Sequence, residues 1–168
     1  MKAVQPIIIF VGVALAGILV FLSLPWFIIY MQYASMPDPP KPLITQGEFP
    51  FKLVYEINGE QKVVEDTVIC KYDGIGMNEG QGKYRKWKSY IAGSGEPDVL
   101  LVVDGKRKVY CYVGSAEYYM DDKEYPEPRP LTPRVYTVGS YAPEELLAKY
   151  KIKLISWGFS DPIVNTVR

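Results

Sequence analysis

The sequence predicts an α+β protein: a single N-terminal transmembrane helix followed by a mostly antiparallel β-sheet domain with one or two short helices. Three observations carry this prediction. In residues 7–31 every residue except Ser23 is apolar, small or aromatic, a helix-forming run with the length of a bilayer crossing. Apolar and polar residues alternate from Phe49 onward, the period of a half-buried strand. Asn58-Gly59 and Asp104-Gly105 then stand between consecutive apolar segments, where tight hairpin turns need positive φ.

The first element is the helix. At about 1.5 Å per residue, 7–31 crosses a hydrocarbon core of about 30 Å. The run is too long for the apolar core of a cleaved signal peptide, and Gln32 and Tyr33 upstream of Ala34 and Ser35 deny it a small-x-small cleavage site. It therefore reads as an uncleaved signal anchor, preceded by a short tail, 1–6. Lys2 and the amino terminus precede the run, while Asp38 and Lys41 nearly cancel after it. That bias places the N-terminus inside and the C-terminal domain outside. Trp26, Tyr30 and Tyr33 cluster at the far end, where amphipathic rings favour the headgroup level. Gly12 and Ala16 form a small-xxx-small pair on which a partner helix could pack, although such residues are common in any membrane helix. No ionisable residue interrupts the run, which argues against an ion pathway or proton relay.

A juxtamembrane linker, 32–42, follows. Its part MPDPPKP holds four prolines in seven residues, so an extended polyproline spacer of roughly 20 Å is expected. The β-rich domain, 43–168, begins with a strand in which Phe49, Phe51, Leu53, Tyr55 and Ile57 share one face. After the Asn58-Gly59 turn, a second strand over 63–72 puts Val64, Val68, Cys70 and Tyr72 together. A third is expected over 84–91, a fourth over 99–103 and a fifth over 108–113, with Val109, Cys111 and Val113 opposite Tyr110 and Tyr112. Short connections between them favour an antiparallel, meander-like sheet, because parallel strands need long crossovers. Ser115 can cap a short helix over 116–122, and 125–133 reads as a proline-rich extended loop. A sixth strand is expected over 134–138. Pro143 with Glu144 and Glu145 opens a helix carrying Leu146, Leu147 and Tyr150, and the last strand follows it near 155–159.

Composition restricts the chemistry. The chain has 168 residues, 19 basic against 19 acidic side chains, two cysteines and no histidine. Balanced charge gives no support for a nucleic-acid partner. Without histidine there are no His-based triads, His metal sites or imidazole switches, and no cofactor or metal is expected. The glycine-rich segment 73–83 invites comparison with a phosphate-binding loop, but Met77 and Tyr84 occupy the positions of an obligatory glycine and hydroxyl. It reads as a flexible connection. Lys83, Arg85, Lys86, Trp87, Lys88 and Tyr90 form a basic-aromatic strand that could meet an anionic surface. Strand alternation splits this charge between two faces, and an outward lysine row also guards an edge strand. Lys106, Arg107 and Lys108 add to the basic character. Glu117, Asp121, Asp122, Glu124 and Glu127 match no calcium-loop spacing and read as a solvated charged face. Cys70 and Cys111 read as buried free thiols, a disulfide being open if their strands approach.

These observations favour a single-pass protein held in the lipid bilayer, whose exported domain is a non-catalytic binding or complex-assembly module for a protein partner or an anionic surface. The alternative is a membrane-anchored extracytoplasmic hydrolase with a carboxylate-based site, which would need two close acids in a cleft.

Overall fold

The computed structural model describes residues 4–78, 80, 82–104, 107–122, 131–137 and 143–165. The chain divides into two compact units, Met1–Pro39 with Ile75–Arg85, and Pro40–Gly74 with Lys86–Arg168.

In the first unit, α1 runs over Val4–Ala34. Its stretch Phe10–Ala34 is the one helix among the described residues long and apolar enough to cross a membrane. Large apolar side chains are exposed around it from Phe10 to Met31. The helix passes the expected end at residue 31 because nothing in Gln32, Tyr33 or Ala34 breaks it. It stops where Pro37 disfavours helical backbone at Met36, with Ser35 Oγ donating to the Met31 carbonyl at 2.7 Å. The first residues of the expected linker are thus helical.

The same unit contains the tip of a hairpin formed by β2, Glu60–Asn78, and β3, Gly82–Ile91. Most of the glycine-rich segment is therefore strand, not a flexible connection. Gly76 explains why: the Tyr84 ring occupies the space that a Cβ would need, so glycine permits close cross-strand packing. Gly82, with φ +73°, plays a similar part against the helix end, where an added Cβ would lie 2.7 Å from Met36 Sδ. Lys83 Nζ donates to Asp38 Oδ1 at 2.8 Å beside it.

The second unit shows the expected α+β character with an antiparallel arrangement. β1, Gln46–Ile57, pairs antiparallel with β2; Asn58 and Gly59 take φ 53° and 83°, as a type I′ turn requires. β4, Val99–Asp104, and β5, Arg107–Tyr112, form a second antiparallel pair, followed by α2, Ala116–Tyr119. Ser115 caps α2 by accepting from the Tyr118 N–H at 3.1 Å. β6, Arg134–Tyr136, adds to β5, α3 covers Pro143–Tyr150, and β7, Ile152–Phe159, returns antiparallel to β1.

The strands form two sheets, β3-β2-β1-β7 and β4-β5-β6, rather than one meander. The break falls after β3, where Ile91 N–H bonds the Glu96 carbonyl and Gly95 N–H bonds the Ile91 carbonyl. That compact turn ends the ladder instead of continuing it. Both sheets contribute to one core, with Phe49, Leu53, Val68 and Cys70 from the first and Val109, Cys111 and Val113 from the second. Two tyrosines tie the layers polarly. Tyr55 donates to the Leu101 carbonyl at 3.3 Å, and Tyr119 stacks on Phe49 at 4.6 Å while donating to the Val113 carbonyl. Their rings bury apolar area and their hydroxyls remain satisfied.

Several expectations fall on residues outside those described: Lys2, Gly105, Lys106, Glu124, Glu127, Val138 and most of the proline-rich 125–133 segment.

Candidate functional site

The basic-aromatic strand is divided by its pleat. Arg85, Trp87 and Ile91 are buried, whereas Lys86 and Lys88 are exposed. Trp87 is only 7% exposed; its Nε1–H donates to the buried Asp122 carboxylate at 2.8 Å, and Tyr72 meets its ring edge-on at 5.4 Å. This ring is a core element and is not offered for stacking. On the outward face, Lys86 and Lys88 both meet Asp73 at 2.8 Å. Their hydrogen bonds hold the Asp73 carboxyl below its ordinary range. Lys71 reaches over the Tyr90 ring at 5.6 Å. What remains outward is a small cationic patch of Lys71, Lys86 and Lys88 around one carboxylate, while Lys83 is paired with Asp38.

At the opposite edge of the same sheet lies β7. No described strand pairs with its outer side, and Ile155 and Trp157 are each 44% exposed. For Ile155 the cause is a bulge. Tyr55 faces Leu154 and Val54 faces Ser156, so Ile155 is the extra residue. Trp157 comes opposite fully buried Leu53 but is not among the residues packed in or against the core. On the outer surface, Pro50, Lys52, Glu65, Asp66, Thr67 and Gly158 line a shallow depression of about 420 Å³. It is open at Gly158, where nothing lies within 4 Å of an added Cβ.

Sequence reading missed this edge. Its signal was present in Ile152, Leu154, Ile155, Trp157 and Phe159: apolar residues occupy both parities, more than one half-buried face can cover.

The depression contains two adjacent acids, the nearest approach to the carboxylate pair of a hydrolase. Both already serve structure. Glu65 pairs with Lys52, while Asp66 accepts from the Thr67 and Gly93 N–H groups. Among the described residues there is no cluster of three or more potential metal ligands.

The buried titratable groups are likewise absorbed by packing. Asp98 accepts from the Tyr136 hydroxyl at 2.5 Å. Burial raises its carboxyl above the ordinary range, partly offset by that bond and by the Val113 N–H. Burial and Asp98 raise the Tyr136 hydroxyl as well. Cys70 and Cys111 are free and buried, and burial pushes both thiols up to about 12. At neutral pH neither supplies a thiolate nucleophile.

In α1, Gly12 has nothing within 4 Å of an added Cβ and Ala16 is exposed, so the small-xxx-small face is open.

Comparison of the chain with protein-family models, with curated proteins and with solved structures gives no match.

Proposed function

We propose that the protein is a single-pass membrane protein, N-terminus inside and C-terminal domain outside, whose exported domain acts as a non-catalytic binding or complex-assembly module. The observation that carries the assembly reading is the β7 edge, on whose outer side no described strand lies, with Ile155 and Trp157 half exposed. Unpaired strand edges offer N–H and C=O groups to an added strand, and a tryptophan beside them supplies the kind of anchor that dominates protein interfaces. The anchoring reading draws on the length and apolarity of α1, and the orientation on Lys2 and the amino terminus before it. The cationic patch of Lys71, Lys86 and Lys88 is a second surface of the same module, suited to an anionic polymer or headgroup.

The test is capture of partners by the tagged full-length protein in mild detergent. It compares the native chain with Ile155→Lys/Trp157→Lys, which places charges on the edge. Defined partners that co-purify with the native chain and disappear from the folded variant support the reading. Equal capture by both, or none by the native chain, overturns it.

A further inference from the structure

We propose that the tip of the β2–β3 hairpin is a second membrane contact, with Ile75 and Met77 seated in the phospholipid interface beside the aromatic end of α1. The inference rests on the reading of α1 as a membrane span. Trp26, Ile29, Tyr30 and Tyr33 of the helix and Met77 and Asn78 of the hairpin line one groove of about 230 Å³. Trp26 lies five positions before the last residue of the apolar 7–31 run, which places it roughly 7 Å below that end at the rise of an α-helix. A groove sharing a wall with Trp26 therefore opens at the depth where hydrocarbon gives way to headgroups. The amphipathic rings of Trp26 and Tyr30 suit that level.

The hairpin side of the groove has matching chemistry. Ile75 and Met77 are 43% and 39% exposed, an unfavourable placement in water for two alternate residues of one strand, and favourable against lipid. The tip is held where it can reach. Gly82 packs on Met36 and Tyr33, and the Lys83–Asp38 ion pair closes the same junction. The groove is continuous with the exposed apolar circumference of α1, so the phospholipid that surrounds the helix is its occupant.

The experiment places an environment-sensitive fluorophore at Met77→Cys in the full-length protein, reconstituted into phosphatidylcholine vesicles. Lys62→Cys, exposed near the other end of β2, is the control. Cys70 and Cys111 remain unlabelled because they are buried and protonated. A lipid carrying a nitroxide near its headgroup end is the quencher, and resistance to alkaline carbonate extraction reports insertion of α1 separately. The expected result is a carbonate-resistant protein whose label at 77 is quenched several-fold more than the label at 62. A carbonate-resistant protein with equal quenching at both positions overturns the hairpin contact and leaves the anchor standing. So does a label at 77 that is blue-shifted but unquenched, which would mean that protein covers the groove. A protein extracted by carbonate overturns the anchor and the hairpin contact together.

Discussion

β3 and β7 border the same four-stranded sheet, yet they treat their exposed side in opposite ways. β3 turns Trp87 inward onto Asp122 and presents Lys86 and Lys88 outward. Charged residues on an edge discourage another strand from pairing. β7 fully buries Ile152 but leaves Ile155 and Trp157 half exposed, with no lysine among its last six residues. One edge is finished by described residues of the fold itself, and on the outer side of the other no described strand lies. The inequality is informative because two edges of one sheet share the same folding requirements, so their difference is what the proposed assembly role has to explain.

The largest effect expected from this contrast is on folding at β3. Trp87→Ala removes a buried ring and its bond to Asp122, and should destabilise the full-length protein in detergent by about 3–5 kcal/mol. Denaturant unfolding followed by circular dichroism measures it. A loss below about 1 kcal/mol would break the comparison, because Trp87 would then not be a core residue in the sense that its burial implies. Trp157→Ala sharpens the other half. With its ring half exposed, the expected cost is about 1 kcal/mol, while partner capture falls well below that of the native chain. A folding loss as large as that of Trp87→Ala would make β7 a structural edge instead.

Acidic pH separates the two kinds of carboxylate. Asp98 has an ordinary value of 3.8, raised in the fold first by burial. The native state therefore retains a proton that the unfolded chain has lost, and stability falls as pH rises from 3.8 through the raised value. Asp73 is lowered by its bonds to Lys86 and Lys88. Its contribution is present above 3.8 and is lost as pH falls through the lowered value. A Tm profile across the acidic range should thus lose its upper slope in Asp98→Asn and part of its low-pH decline in Asp73→Asn. Unchanged profiles in both variants would remove the assignment.

Local pattern made much of this legible from sequence. Asn58-Gly59, Ser115 and Pro143 mark their turn, cap and helix start through residue chemistry that acts within a few positions. The inward set Val109, Cys111 and Val113 follows from alternation alone. What escaped depends on partners distant in sequence. The Gly76 contact needs Tyr84 in register, the division into two sheets depends on where the turn after Ile91 sends the chain, and the Ile155 bulge is visible only once β7 lies on β1. The division of the basic strand into two faces also follows from alternation, with Arg85 and Trp87 buried and Lys86 and Lys88 exposed. That Trp87 is a core anchor required the position of Asp122, 35 residues away.

The smallest stability effects belong to Lys86 and Lys88, and they decide what the guarded edge does. Both ammonium groups are largely solvated and share Asp73, so Lys86→Ala or Lys88→Ala alone should change stability by less than about 1 kcal/mol. Each leaves the other lysine on the carboxylate, and the double variant should therefore cost more than the sum of the two. Binding to anionic vesicles or wall polymers responds in a different direction. Asp73→Asn removes the negative charge at the centre of the patch, so it should strengthen such binding, whereas the double lysine variant weakens it and added salt diminishes both. If all three variants bind alike, the lysines are edge protection only. In that case the proposed recognition surface of the sheet is reduced to β7.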